Sequence, residues 1–473
     1  MNILNNTILS TDSYKFSHYK QYPAGATDVF SYIEARGSNL PGCNETVFFG
    51  LQSYIKDVLM SPITKQDVEF AEKFTAAHGV PFNKEGWLRI VEVHKGMLPV
   101  KIDAVPEGTV VPTGNLLLSI HCNDPELFWL PSYLETAILR AVWYGTSVAS
   151  ISRHVKSVIK SYLDKTSDAP DAELPFKLHD FGARGVSSTQ SAGIGGAAHL
   201  VNFMGSDTVE GILHSMQYYN ADVCGFSIPA AEHSTMTSWG RENEESAYEN
   251  MVEQYARKGS IFAVVSDSYD VYNAVEKIWA NNLLTRVKLR GATAVIRPDS
   301  GDPLVVPIEL IELLMKEVGY TVNSKGYKVL PDYVRLIQGD GCTPETIEAI
   351  LAKMESKGLS ASNIAFGMGA GLLQKCDRDT FKMAMKCSAV EINGKFVDVY
   401  KDPVTDPGKK SKKGVLTLLH RNGKYLTVRA EEADKMRKDG WYLATRCVFN
   451  SVHGRVDQIE MYNFNEIRER AKL

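Results

Sequence analysis

Disulfide and zinc signatures are missing from this 473-residue chain. Its seven cysteines, Cys43, Cys122, Cys224, Cys342, Cys376, Cys387 and Cys447, are scattered, odd in number and contain no CxxC pair. That excludes a disulfide framework and a sequence-legible zinc site, and fits a reducing compartment. Nor is there a run of 18 apolar residues; the best stretches, such as IFAVVSDS, have the length of buried strands. Charge of one sign is missing too: 52 Lys+Arg against 56 Asp+Glu leave a net −4. A dedicated nucleic-acid coat, which works by neutralising phosphates, is therefore not expected. The opening MNILNNTILSTDSYK lacks a basic region followed by an apolar core, so no secretory signal is expected. Low-complexity tracts and short repeats are absent as well. These absences predict a soluble, cytoplasmic globular protein without a membrane or nucleic-acid partner.

What is present is a rhythm between about residues 174 and 390. Short apolar runs close on glycine or a polar residue: FKLHDFGARG (176–185), GFSIPAAEHS (225–234), FAVVSDSYD (262–270), TAVIRPDSGDP (293–303), VRLIQGDG (334–341) and NIAFGMGAG (363–371). The last four begin 31, 41 and 29 residues apart, leaving room for one helix between strands. EESAYENMVEQYARKG, SYDVYNAVEKIWANN and TPETIEAILAKMESKG supply the amphipathic spacing of such helices. Apolar strands alternating with helices predict a parallel sheet covered on both faces. Polar residues at five or six strand ends favour an α/β barrel over an open doubly wound sheet, which binds at one switch point. The flanks mix helices with strand-like stretches such as LPVKIDAVPEGTVVPTGNLLLSI and KYLTVRAEE. The expected division is 1–165 and 388–473 as the two parts of an α+β domain, with the barrel at 166–387.

The strand ends carry His179, Asp180, Arg184, Glu232, His233, Asp267, Arg297, Asp299 and Asp340, accompanied by glycines 182, 185, 301, 339, 341, 367, 369 and 371. Guanidinium forks grip phosphate, glycine turns bring N–H groups close to it, and carboxylates take ribose hydroxyls or hydrated Mg²⁺. A phosphorylated, hydroxylated ligand suits that set. Each member also has a plainer reading. His179 is equally a core histidine that orients neighbours, RPDSGDP a Pro/Asp/Gly turn, and KKSKKG a solvated loop. GMGAG lacks the full GxGxxG spacing of a dinucleotide fold. The coincidence of six such ends is the stronger signal.

Longer segments carry a resemblance. TDSYKFSHYKQYP (11–23), HDFGARGVSS (179–188), SIPAAEHSTMTSWG (227–240), SDSYD (266–270), IRPDSGDP (296–303), QGDG (338–341), GLLQKCDRD (371–379) and KDPVTDPGKKSKKG (401–414) resemble, in order and over nearly the whole chain, the nicotinamide phosphoribosyltransferase family. The resemblance is to a bacterial- or phage-type member without the longer termini of animal enzymes. It implies a type II phosphoribosyltransferase fold, an irregular α/β barrel with a flanking α+β domain built from the N- and C-terminal segments. It also implies a homodimer with active sites at the subunit interface. The implied reaction joins nicotinamide to phosphoribosyl pyrophosphate (PRPP) with Mg²⁺, giving nicotinamide mononucleotide (NMN) and pyrophosphate, coupled to ATP hydrolysis on a histidine.

Position by position, the resemblance implies that Phe181 and a partner's Tyr14 sandwich the pyridine ring and that Asp207 accepts the carboxamide N–H. A carboxylate there disfavours nicotinate. Arg297 is implied on the ring and phosphate side, Asp299, Gly339 and Asp340 at the ribose, and Arg184 and His233 at pyrophosphate. His233 is the implied phosphohistidine, with Glu232 and Asp267 beside it. The 5′-phosphate is expected against Gly369, Ala370 and Gly371 together with Arg378, Lys386 and Lys409 of the partner. The Mg²⁺ ligands are not specified. Ala183, Ala370 and Ala384 depart from the animal pattern of tyrosine, glycine and serine. Alternatives are a nicotinate or quinolinate phosphoribosyltransferase, against which Asp207 argues, and a nucleotide-binding protein of this fold without catalysis. An aldolase-like phosphate barrel lacks a strand-end lysine here.

Overall fold

The computed structural model describes residues 3–405 and 410–473. The chain forms two compact units, one comprising Ile151–Met216 and Asp222–Lys375, the other Met1–Ser150, Gln217–Ala221 and Cys376–Lys472. Each is taken in turn.

The first unit holds a parallel sheet of six strands: β1 (Leu178–Asp180), β2 (Gly205–Ser206), β3 (Ile261–Val265), β4 (Thr293–Arg297), β5 (Val334–Gln338) and β6 (Ile364–Met368). Their order is β2-β1-β6-β5-β4-β3, every pairing parallel. The two edges meet through residues 226–231. Phe226 bridges Gly205 of β2 and Ala230 bridges Ala263 of β3, both in parallel sense. These bridges join the edges of the curled sheet, giving the α/β barrel that the strand rhythm favoured, in the irregular form that the resemblance implied.

The intervening helices form where the amphipathic segments placed them, at Glu244–Tyr255 and Pro344–Ser356, while the third segment begins as Val271–Asn273 and widens into a π-helical stretch, Ala274–Leu283. Thr343 Oγ1 accepts from Thr346 N–H (3.2 Å) and Asp270 Oδ1 from Asn273 N–H (3.0 Å), satisfying amides that a helix start leaves open. The helices bury their apolar stripes on the strands. Tyr248 stacks on Trp279 at 5.3 Å, and Trp279 donates to Ser266 Oγ (3.0 Å) just beyond β3. Burying one such large side chain is worth about 2–3 kcal/mol.

The second unit is built on a seven-stranded antiparallel sheet. Its order is Lys395–Asp398, Met383–Ile392, Ala26–Ala35, Leu116–Cys122, Val100–Ala104, Arg446–Val452 and Arg455–Ile459. A three-stranded sheet of Lys424–Arg429, Leu416–Arg421 and Tyr442–Leu443 accompanies it. Three N-terminal strands thus form the centre of one sheet, with two C-terminal strands on either side, the α+β character expected of the flanks. Among the described residues no helix is long and apolar enough to cross a membrane.

The basic run of 410–413 is not a free cationic patch. Lys410 pairs with Asp402 (2.8 Å), Lys413 lies 4.0 Å from Asp398, and Lys412 pairs with the buried Glu34 while its N–H donates to Tyr32 Oη (3.1 Å). Lys409, an expected phosphate contact, lies outside the described residues.

Candidate active site

At the carboxyl ends of the barrel strands lies a cavity of about 520 Å³. Phe181, Arg184, Asp207, Arg297, Asp299, Gly339, Gly369 and Ala370 line it, joined by Ala183 and Gly185. Ten residues singled out in the sequence, from five separate segments, therefore meet around one space. Parallel strands deliver them there because each strand's carboxyl end turns out at the same mouth.

Glycines decide how the aromatic side chain sits. A Cβ on Gly367 of β6 would stand 2.0 Å from Phe181 Cε2, so only glycine lets the ring lie against the strand. Gly205 does the same for His179, whose Nδ1 would be 2.6 Å from an added Cβ. These two glycines have ordinary negative φ; close approach, not handedness, requires them. Ala370 also keeps a negative φ and opens the short helix Ala370–Leu373, so its methyl costs the turn nothing.

Asp207 is the centre of a small network. His179 Nε2 lies 3.1 Å from Asp207 Oδ1, and Ser227 Oγ donates to the same oxygen. Burial alone would raise this carboxyl. The His179 and Ser227 hydrogen bonds and the Arg297 charge outweigh it and hold Asp207 below the usual carboxylate range. His179 thus orients the Asp207 carboxylate.

A second cluster adjoins the cavity at Asp299. His233 opens the helix His233–Thr237; its Nε2 lies 3.6 Å from both Asp267 Oδ1 and Asp299 Oδ2, and its Nδ1 3.2 Å from Ser268 Oγ. Asp267 Oδ2 accepts from Asp299 N (3.0 Å), whereas its buried Oδ1 has no hydrogen-bond donor among the described residues. Arg297 Nη2 stands 3.7 Å from Asp299, and its buried Nε has no partner among the described residues. Glu232 stands at the N-cap of the His233 helix, where its N–H donates to Thr235 Oγ1 (3.2 Å) and its carboxylate accepts from Ser234 Oγ; it does not line the cavity. Asp340 is exposed beyond Gly339, and Gly371 packs toward the Cys342 carbonyl; neither lines the cavity.

Tyr14, Arg378 and Lys386 belong to the antiparallel unit. Tyr14 is exposed and packs edge-on against His18 at 4.8 Å; its neighbour Lys15 is buried against Glu135 (2.7 Å) and the Ser132 carbonyl (2.9 Å). Burial pushes the Lys386 ammonium down; Glu135 offsets part of this, and the charges of Arg36, Lys401 and Arg378 add to it. Four cations therefore share one neighbourhood. Arg36 and Lys401, like Ser227 and Ser268 in the barrel, went unmarked in the sequence reading, although Ser227, Ser268 and Lys401 lie inside the motifs SIPAAEHS, SDSYD and KDPVTD.

A closed parallel barrel with cations, carboxylates and an aromatic face at its mouth is the architecture of a pyridine phosphoribosyl-transferring enzyme. The chain belongs to the nicotinate phosphoribosyltransferase (NAPRTase) family, whose family model matches residues 176–440. Within that class its similarity is to nicotinamide phosphoribosyltransferases. Residues 6–102 match the N-terminal domain of that enzyme. The chain is 54% identical to the nicotinamide phosphoribosyltransferase of Xanthomonas campestris pv. campestris, over 91% of this chain and 92% of that protein. It is 33% identical to that of Acinetobacter baylyi, over 87% and 88% of the two chains. The fold matches the crystal structure of nicotinate-nucleotide pyrophosphorylase from Pyrococcus furiosus (TM-score 0.63, 16% identity, covering 100% of this chain and 95% of that one). It also matches human nicotinic acid phosphoribosyltransferase (TM-score 0.56, 16% identity, covering 98% and 92%).

Proposed function

We propose that this protein transfers the phosphoribosyl group of PRPP to nicotinamide, yielding NMN and pyrophosphate for NAD salvage. One observation carries the choice of nicotinamide: Asp207, held ionised by His179 and Ser227, shares a cavity with Phe181. An ionised carboxylate accepts from a carboxamide N–H and repels the carboxylate of nicotinate.

In this reading the pyridine ring lies on Phe181 and its nitrogen attacks the anomeric carbon as the bond to pyrophosphate breaks. The nitrogen uses its own lone pair, so no general base is needed. The chain's work is positioning and charge. Arg184 and Arg297 face the leaving pyrophosphate, Asp299 accepts from a ribose hydroxyl, and the backbone of Gly369 and Ala370 receives the 5′-phosphate. The aromatic face gains attraction as the ring becomes cationic.

Among the described residues no three His, Cys, Asp or Glu side chains form a metal cage. Mg²⁺ takes one or two carboxylates and completes its shell with water and phosphate. The unpaired Asp267 Oδ1 and the nearby Asp299 fit that demand. When bound, the ion would neutralise charge on the pyrophosphate.

His233 is the assigned acceptor from ATP: an imidazole nitrogen bonds the γ-phosphorus while the bond to ADP breaks. Ser268 orients the ring, and Asp267 and Asp299 hold the positive charge that develops on it. The protein acts as a homodimer, in which Tyr14, Arg378 and Lys386 of a second copy complete the ring and phosphate sites. The concentration of cations around Lys386 supports that assignment.

The test is NMN formation from PRPP and Mg²⁺ with nicotinamide or nicotinate, with and without ATP, for wild type and Asp207→Ser. Turnover of nicotinamide alone, weakened or broadened toward nicotinate by Asp207→Ser, is expected. Preference for nicotinate overturns the Asp207 assignment, and no product from either base overturns the activity.

A further inference from the structure

Asp180 ends β1, is fully buried, and has no part in the chemistry above. It does not line the cavity, yet it bonds to both turns that do. Its Oδ1 accepts from Gly182 N (2.7 Å), the turn that follows Phe181. Its Oδ2 accepts from Ser206 Oγ (3.5 Å), and its main-chain carbonyl accepts from Asp207 N (2.9 Å). Thr208 Oγ1, also fully buried, faces the same carboxylate and finds no other acceptor among the described residues. The charged and titratable groups facing Asp180 are His179 on its own strand and Asp207 on the neighbouring turn.

A buried carboxylate is an expensive packing element. Burial pushes the Asp180 carboxyl up to about 6, against the pull of the Gly182 amide, the Thr208 hydroxyl and His179, with Asp207 adding to the rise. An apolar side chain would fill the space without that cost and keep the main-chain bond to Asp207 N, but it would lose the side-chain bonds to Gly182 N and Ser206 Oγ. The parallel register sets Asp180 beside Ser206 and Met368, so the link spans neighbouring strands and not merely a local bend.

We propose that Asp180 is a positioning residue for the ring pocket: its carboxylate ties the Phe181 turn to the Asp207 turn and fixes the separation between aromatic face and amide acceptor. The inference rests on the assignment of Phe181 and Asp207 to the pyridine. Its consequence is a pocket preorganised for the ring and its carboxamide together, with little bearing on PRPP.

Steady-state kinetics of the full chain decide it, with KM for nicotinamide, KM for PRPP and kcat measured separately for wild type, Asp180→Ala and Asp180→Asn. Asp180→Ala should raise the nicotinamide KM about tenfold or more and move the PRPP KM less than about threefold. Asp180→Asn keeps an acceptor for Gly182 and offers an N–H to the hydroxyls, so it should return the nicotinamide KM to within about threefold of wild type. An unshifted nicotinamide KM in Asp180→Ala, parallel rises in both KM values, or an Asn variant as impaired as Ala each overturns the proposal. If Asp180→Ala does not fold, Ser206→Ala carries the test. A nicotinamide KM raised about twofold or more, with PRPP unaffected, supports the link, and an unchanged value overturns it. Wild type that makes no NMN overturns the activity and this inference together; active wild type with unshifted variants overturns the inference alone.

Discussion

Replacing Gly367 by alanine tests the ring pocket with a single methyl group. An added Cβ would stand 2.0 Å from Phe181 Cε2 and 2.5 Å from Cδ2. Carbon atoms settle at about 3.5 Å or more, so the ring has to retreat by about 1.5 Å. β6 is paired with β1 on one side and β5 on the other, which holds the strand and sends the displacement into the side chain. Overpacking of this kind costs about 1–3 kcal/mol of stability. A binding group misplaced by about 1 Å costs up to about a hundredfold in rate or affinity. The nicotinamide KM of Gly367→Ala should therefore rise about 10- to 100-fold, with PRPP affected far less. Gly339→Ala provides the graded comparison: its Cβ would lie 3.5 Å from Phe181 and 3.6 Å from Asp299 Oδ1, ordinary contacts, so its effect should be smaller. Initial rates at saturating PRPP, with a melting curve for each variant, make the measurement. A Gly367→Ala enzyme whose nicotinamide KM stays within threefold of wild type refutes the ring placement.

Three further outcomes follow from the same geometry. Because burial raises the Asp180 carboxyl from an ordinary 3.8 to about 6, its contribution to folding is fullest below pH 4 and is lost as pH rises through 6. Relative to wild type, Asp180→Asn should therefore gain about 2 kcal/mol between pH 4 and pH 7, at about 1.4 kcal/mol per unit; urea midpoints whose difference is flat with pH count against it. Lys412→Met strands Glu34, 3% exposed, without its cation and should cost about 3 kcal/mol, most of it recovered in the Glu34→Gln double variant. Equal denaturation midpoints for Lys412→Met and wild type would dismiss that pair as a stabilising element. His233→Ala should abolish ATP hydrolysis and ATP stimulation while leaving ATP-independent NMN formation measurable; retention of both activities removes His233 from the phosphoryl step.

The barrel was legible because buried parallel strands must be apolar throughout and must end on the same rim. That is why the strand ends are visible in the sequence. The partners of those ends were not legible. Ser227 and Ser268 are common residues with no spacing signature, and their roles depend on which strands become neighbours. Arg36 and Lys401 join Arg378 and Lys386 through an antiparallel sheet that brings residues some 350 positions apart together. The basic run showed its lysines but not their acids, because Glu34 is reached only through the sheet. GFSIPAAEHS read as a full strand, yet it makes isolated bridges. Pro229 has no N–H to give, and its carbonyl only accepts, from Ala263 (2.9 Å).

That imperfect strand gives the barrel a seam. Residues 226–231 are stitched by two main-chain bonds to the 204–206 side, Ser206 N to Phe226 O and Phe226 N to Met204 O. Two more, Ala231 N to Ala263 O and Ala263 N to Pro229 O, hold the β3 side. Thermal breathing concentrates where few bonds need to break, so this stretch should exchange its amide protons ahead of the fully laddered strands. It is also the stretch whose Ser227 reaches Asp207 and from which the chain runs out into His233. A molecule engaged at both places bridges the seam from either flank, so that occupancy itself would slow the breathing and seal the ring.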